Sequence, residues 1–307
     1  MRDGPLLYVG VVLLLGGGAL LARATEEAPA PRPAAVAVPG AGPTRIVSAT
    51  LGADEMLLAL LGPEAQEQLA ALSTFADDPA ASNVTSEARA IEARVHGDAE
   101  RILSLDPDLI VTGPYTRPEA MALLSRSRVP VLTISSATSV RGIEDNLRTL
   151  GGVLGREAAA TAVIDDMRGT LRRVRAATED LRRPRVLLYN RGGYTPGAGT
   201  LFDELLDIAG ADNAARELGL EGHGIIGDER LLALDPEVIL VVEYVADGQG
   251  REVVPPPTFA DAPVFESLSA VKSGAVHRIA PQRVLSESHH AANGAVELAR
   301  LLHPGAL

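Results

Sequence analysis

Two segments of this chain carry acids, arginines and apolar residues in the same order. Glu100 to Ile110 reads ERILSLDPDLI and Glu229 to Ile239 reads ERLLALDPEVI; the copies lie 129 positions apart and agree at seven of eleven positions. Tyr115 follows Asp106 by nine residues, and Tyr244 follows Asp235 by nine. In a chain with five Tyr, four Phe and no Trp, tyrosines at equivalent places are candidate ligand contacts, set against the plain alternative of amphipathic rim residues with wet hydroxyls. Arg117 adds a guanidinium beside Tyr115 that can pair with an anionic ligand. Asn190, Arg191 and Tyr194 follow another apolar run, within a stretch that also holds Gly192, Gly193, Gly197 and Gly199. Those glycines suit either a backbone close to a ligand or ordinary turns. The lysine of a phosphate-binding GK[ST] motif is missing and no dinucleotide fingerprint is matched.

His289 and His290, beside Ser286, Glu287 and Ser288, open two further chemistries. A metal site would draw in His96, His223 or Glu243, but such sites need three or four convergent groups, and sequence neighbours rarely converge. A serine nucleophile would call for a G-x-S-x-G elbow, which the chain lacks. His289 is retained as a candidate ligand contact; no catalytic set, cofactor or metal ligand is expected. Glu100 and Glu229 each suit the first turn of a helix, where an acid meets the positive end of the helix dipole.

The elements that would place these residues are legible from periodicity. Each repeat copy is a short helix, an Asp-Pro stop and an apolar strand. A strand Arg45–Ser48, a helix Ala53–Leu61 and a strand Leu69–Leu72 precede the first copy, and Ser73–Val95 reads mostly as loop. A helix Glu119–Arg126 and a strand Val131–Ile134 follow it. Ser139–Leu154 is amphipathic and stopped by Gly155. Arg156–Leu181 then runs without proline, with one apolar stripe at spacings of three and four. Beyond it come a strand Arg185–Tyr189, a turn Asn190–Thr200, a helix Leu201–Ala209, a loop Leu218–Gly227 and the second repeat with strand Val238–Val242. A surface loop Ala246–Pro257, a helical turn Val264–Val271, a strand Ala275–Ile279 and a helix Ala291–Leu302 finish the chain. The pattern predicts an α/β fold of two lobes, each with a small central parallel β-sheet flanked by helices, joined by one long rigid helix. The expected boundaries are 44–155 for the N-terminal lobe, 156–181 for the bridging helix and 182–307 for the C-terminal lobe. A parallel sheet presents ligands at the carboxyl ends of its strands, so the tyrosines should line a cleft between the lobes.

Totals narrow the class. At 307 residues with 46% hydrophobic content the chain fills two globular cores, and a net charge of −12 argues against nucleic acid. With no Cys there is no disulfide and no thiolate chemistry. Residues 1–24 have the layout of a secretory signal with an Ala22-Arg23-Ala24 cleavage site, or of an uncleaved membrane anchor. Residues 25–43 form an Ala/Pro-rich linker.

The opening RIVSATLGADEMLLALLG, the Glu-x-x-x-x-Leu-x-Pro segment in each lobe, the bridging helix and the entry GAGTLFDELLDIAGADNAA together resemble the periplasmic substrate-binding proteins of importers for ferric siderophores, cobalamin and haem. The resemblance covers Thr44 to Pro304. It implies a non-enzymatic, monomeric periplasmic receptor that carries a metal chelate to an ABC importer permease in the inner membrane. Glu100 and Glu229 match the acids by which that family pairs with permease arginines, and the helical backbone implies small hinge motion. Without Trp, an aromatic wall would come from Tyr115, Tyr194, Tyr244 or Phe259. The absence of a lipid-bearing Cys is what a Gram-negative member would show. Two other readings remain open: capture of free zinc or manganese, and an α/β enzyme or cofactor-insertion protein that keeps the binding fold.

Overall fold

The computed structural model describes residues 42–242 and 263–307. Tyr244, Glu243 and Phe259, the loop 246–257, the N-terminal segment and nearly all of the linker lie outside them. The first half contains β1 (Ile46–Ser48), α1 (Leu51–Leu61), α2 (Ala65–Gln68), β2 (Leu69–Ser73), α3 (Thr85–Ala88), β3 (Arg94–Val95), α4 (Ala99–Leu103), β4 (Leu109–Thr112), α5 (Pro118–Arg126), β5 (Val131–Thr133) and α6 (Val140–Leu154). Its strands form one parallel sheet in the order β3-β2-β1-β4-β5. A single helix, α7 (Glu157–Thr178), leads to the second half.

That half contains β6 (Arg185–Leu188), β7 (Tyr194–Pro196), α8 (Leu201–Ile208), β8 (Asp212–Asn213), β9 (His223–Ile225), α9 (Asp228–Leu234), β10 (Val238–Val242), α10 (Ser269–Lys272), β11 (Val276–Ile279), α11 (Pro281–Val284) and α12 (Ala291–Leu302). Its parallel sheet runs β11-β10-β6-β8. The two lobes with helix-flanked parallel sheets are therefore those read from the sequence.

Three expectations need correction. The turn 190–200 and the loop 218–227 each contain a strand: β7 and β9 pair antiparallel as a separate ribbon. Tyr-Thr-Pro and His-Gly-Ile are too short and too poor in alternating apolar residues to announce strands. The stretch 73–95, mostly loop as expected, also holds α3 and β3, both only a few residues long. The bridging helix spans 157–178 rather than 156–181, about 33 Å at roughly 1.5 Å per residue.

Successive strand residues point to opposite faces, and both faces of each sheet are covered. In the first lobe Ile46, Leu109 and Val111 face one apolar cluster while Val47 and Ile110 face another. In the second, Val186, Leu188 and Leu240 oppose Leu187 and Ile239 in the same way. The largest cluster crosses the lobe boundary: the α7 stripe of Ala160, Ile164, Met167, Leu171 and Val174 is buried in it with α6 residues Leu147 and Leu150 and α12 residues Ala295 and Leu298. Glu144 on α6 adds a polar tie, accepting from Arg148 at 2.9 Å and from Arg168 of α7 at 2.5 and 2.6 Å.

The repeat is a structural device. Arg45 opens β1 and Arg185 opens β6; Arg45 Nε donates to the Leu105 carbonyl at 2.7 Å and Arg185 Nη2 to the Leu234 carbonyl at 2.8 Å. In each lobe an arginine thus satisfies a carbonyl at or just past the end of the repeat's helix, which would otherwise lack a partner. The acid after each Asp-Pro closes the loop, Asp108 accepting from Arg45 N at 2.8 Å and Glu237 from Arg185 N at 3.2 Å. Asp106 and Asp235 are the non-glycine residues of positive φ among those described, at 51° and 41°, a conformation that costs about 1–2 kcal/mol for a residue with a Cβ. Only Asp235 recovers that locally, accepting from Ser269 N at 2.6 Å and Ser269 Oγ at 2.7 Å. Replacing Asp106 by Gly is therefore expected to change stability by less than about 1 kcal/mol, while Asp235→Gly costs about 1–2 kcal/mol through two lost hydrogen bonds. Urea denaturation of the two variants should separate them in that direction.

Candidate functional site

The candidate residues lie in loops that follow the carboxyl ends of parallel strands, where such sheets present ligands. Tyr115 lies in the loop after β4, between Gly113 and Arg117, and is 64% exposed. Its hydroxyl stands 3.4 Å from Ser136 Oγ in the segment after β5. Arg117 is exposed at the amino end of α5. From the other lobe, Asn190 follows β6; its side-chain oxygen accepts from Val242 N at 3.3 Å and its backbone N–H donates to Tyr194 O at 2.9 Å. Arg191 begins the tight turn that follows.

Tyr194 stands on β7, its ring stacked on His223 of β9 with centroids 5.4 Å apart and planes 10° from parallel. Burial raises the Tyr194 phenol above its ordinary range, and the Tyr115 phenol of the other lobe adds to the rise. Burial also holds the His223 imidazole below its ordinary range. The two tyrosines, nominated from separate lobes, are thus near enough to interact electrostatically.

The ribbon that carries Tyr194 depends on glycine. A side chain at Gly193 would collide with the Ile226 carbonyl, and one at Gly197 with the Leu220 carbonyl. These glycines therefore serve close packing of β7 and its flanks on the segment 220–226 that carries β9, a reason that neither sequence reading supplied for these two positions.

A feature that the sequence reading missed is the segment 281–290. It leaves β11 and crosses to the N-terminal lobe, where Gln282 N donates to Ala80 O at 3.2 Å. Glu55, buried in α1, accepts from Ser286 Oγ at 3.0 Å, from Ser288 Oγ, and from Asn83 N and Nδ2 at 2.9 Å each. Glu287 accepts from Ser136 Oγ at 3.1 Å and Ala137 N at 3.2 Å. Burial raises its carboxyl, opposed by those two hydrogen bonds. A signal was available for Glu55: Asp54-Glu55 sits inside LGADEMLLALL, a helix apolar on nearly every side, so these acids had to meet protein rather than water.

His289 follows directly, its ring 4.1 Å from that of His290. Burial pushes the His289 pKa down to about 3, with His290 adding to the shift, so the imidazole is neutral across the physiological range. Its Nδ1 is buried without a hydrogen-bond partner. His96 is elsewhere, 2.9 Å from Thr74 Oγ1 and against the Phe75 ring. The four histidines weighed for a metal site thus occupy three settings, and among the described residues no group of three or more His, Cys, Asp or Glu is placed to hold a metal ion.

Glu100 and Glu229 are exposed in the first turns of α4 and α9. Asp98 caps α4, accepting from Glu100 N at 3.0 Å and Arg101 N at 3.4 Å. Both acids stand free of the packing that buries Asp54 and Glu55.

Asp54 accepts from Ser73 N at 3.2 Å and Ser73 Oγ at 2.5 Å. Burial pushes its pKa from 3.8 up to about 7, against the opposing hydrogen bonds of Ser48 and Ser73. Between those values the folded chain holds a proton that the unfolded chain has released. Stability from this group is thus complete below about pH 4 and falls as pH rises to about 7, by up to about 4 kcal/mol. Asp54→Asn should flatten that dependence when denaturation midpoints are compared at about pH 5 and about pH 8.

Comparison with known proteins follows the same lines. A family model described as periplasmic binding protein matches residues 46–282. A cobalamin-binding protein of Halobacterium salinarum is 25% identical over 201 residues, 64% of this chain and 53% of that protein. This chain therefore spans about half the length of that relative. An uncharacterized ABC transporter substrate-binding lipoprotein of Bacillus subtilis is 23% identical over 216 residues, 67% of this chain and 65% of that protein. A periplasmic haem-binding protein of Pseudomonas aeruginosa superposes with a TM-score of 0.69 at 26% identity, covering 86% of this chain and 94% of its own.

Proposed function

The chain belongs to the periplasmic binding protein family, and from that premise we propose that it captures a metal chelate of the haem, cobalamin or ferric siderophore type between its lobes and delivers it to the permease of an ABC importer. The observation that carries the reading is the aromatic surface of Tyr194 stacked on the flat face of His223, near enough to the Tyr115 phenol of the other lobe for the two to interact electrostatically. Such surfaces take the apolar face of a large conjugated ligand, while hydroxyls and imidazoles meet its polar edge. The relatives named for cobalamin and haem support this cargo class. Arg117, Asn190, Arg191, Tyr244 and His289 are the further contacts we assign to it. A free divalent ion is a poorer cargo here, because the described histidines and acids do not converge.

Purified protein titrated with ferric haem, cobalamin and a ferric siderophore, followed in the ligand's visible spectrum, is expected to bind one of the three saturably. Saturable zinc or manganese binding with none of the chelates would overturn the reading.

Delivery is assigned to Glu100 and Glu229. Both are exposed acids in a first helical turn, one on each lobe, and exposed carboxylates suit bidentate pairing with arginines of a partner. The family is exported, and among the described residues no helix is long and apolar enough to cross a membrane. Glu100→Ala combined with Glu229→Ala should abolish uptake by cells while leaving chelate affinity within about twofold. Loss of affinity with intact permease binding would remove the docking role from these acids.

A further inference from the structure

We propose, resting on the reading of the cleft as the cargo site, that Glu287 is a positioning residue: it fixes Tyr115 with its hydroxyl hydrogen turned away from the cargo, so that the phenol meets the cargo through oxygen lone pairs.

The argument is a count of hydrogens. An ionised carboxylate only accepts, and a serine hydroxyl has one hydrogen to give. Glu287 Oε1 takes the Ser136 hydroxyl at 3.1 Å and Oε2 takes the Ala137 N–H at 3.2 Å. With its hydrogen directed at Glu287, Ser136 offers Tyr115 only lone pairs, and the phenol 3.4 Å away must be the donor. That last contact is long and weak, so its direction follows from the stronger, charge-assisted bond behind it.

Neighbouring groups hold the relay in place. Asn146 grips Ser135 through both backbone groups, accepting from Ser135 N at 3.1 Å and donating to Ser135 O at 2.8 Å. On the far side, Ser286 and Ser288 flank Glu287 and both donate to buried Glu55. The carboxylate therefore has little room to leave Ser136. A residue from the C-terminal part of the chain sets the chemistry of a tyrosine on the N-terminal lobe.

The consequence concerns the cargo. Tyr115, free to rotate, would serve donors and acceptors alike. Held as a donor to Ser136, it favours a cargo edge that accepts electron pairs: an N–H, an O–H or an exchangeable metal position. Glu287→Gln breaks this logic with little change of shape. Ser136 and Ala137 both present donors, and an amide has one oxygen. If that oxygen keeps the Ala137 N–H, the amide nitrogen donates to Ser136, whose hydrogen then turns toward Tyr115 and reverses the relay.

The tyrosine Raman doublet reports whether a phenol donates or accepts, and subtracting the Tyr115→Phe spectrum isolates Tyr115 from the four other tyrosines. At about pH 8, chosen because burial raises the Glu287 carboxyl above the ordinary range, Tyr115 should read as a donor in the parent protein and lose that signature in Glu287→Gln. Ser136→Ala, a smaller change, should do the same and guards against misfolding of the first variant. An unchanged doublet in both variants, or an acceptor signature in the parent, overturns the proposal. Ferric haem as probe supplies the second arm: Tyr115→Phe and Glu287→Gln should each weaken binding about tenfold, with no further loss in the double variant. Additive losses would show that Glu287 does not act through Tyr115. If the parent binds no haem, haem is removed from the cargo class, while the Raman result still decides the role of Glu287.

Discussion

The structure depends on burial of one stripe along α7. Ala160, Ile164, Met167, Leu171 and Val174 lie in a cluster shared by strands of both sheets and by α6, α8 and α12. Two lobes on a flexible linker would each keep a separate core and swing freely. Here a wide swing would drag apolar side chains of α7 and α12 into water, at roughly 25 cal/mol for each Å² exposed. The segment 281–290 adds a second restraint through Glu55 and Glu287. A cleft held from two sides loses little conformational freedom on binding, which favours affinity without closure.

The repeat shows what was copied and what diverged. Arg45 and Arg185 brace the same carbonyl of the repeated helix, and Asp108 and Glu237 close the same loop. These contacts hold the frame of each lobe and involve no residue assigned to cargo. The cleft is built from parts that are not shared. The β7–β9 ribbon with Tyr194 and His223 occurs in the second lobe alone among the described residues, and Ser136 faces a glutamate from beyond the last strand. Equivalent position nominated Tyr115 and Tyr244; Tyr244 lies outside the described residues, and among those described it is Tyr194 whose phenol feels Tyr115.

How much could be read beforehand follows from the range of each signal. Helices with a 3.6-residue stripe and a visible stop were legible to within a few residues, as with Ser139 capping α6 and Gly155 ending it at φ 65°. Parallel strands announced themselves as continuous apolar runs because both faces are buried. The ribbon was not legible, since Tyr-Thr-Pro and His-Gly-Ile hold their shape through contacts such as Gly193 against Ile226, which lies 33 positions away. Nor was the crossing segment, whose Ser286 reaches Glu55 across 231 positions. Ser286 to His290 drew notice as possible catalytic or metal-binding residues, and their polarity instead serves contact between lobes for the first three. Tertiary contacts of that span leave no local pattern.

A receptor that holds its cargo in a preformed cleft must still release it, and the same contacts indicate where release would begin. The lobes share a core on the α7 side, so a permease docked, as proposed, at Glu100 and Glu229 could not part them widely. Under the proposed roles it would shift them by a small amount where polar contacts help to join them. Glu287 lies at such a place, bound to the N-terminal lobe by two hydrogen bonds of 3.1 and 3.2 Å. Hydrogen bonds weaken steeply with distance and angle, whereas packed apolar contacts tolerate small sliding. A displacement too small to open the core would therefore free Ser136 first, and with it the orientation of Tyr115. Under the proposed roles, docking at the two acids would weaken the hold on the cargo by loosening one polar relay, with the apolar core left intact.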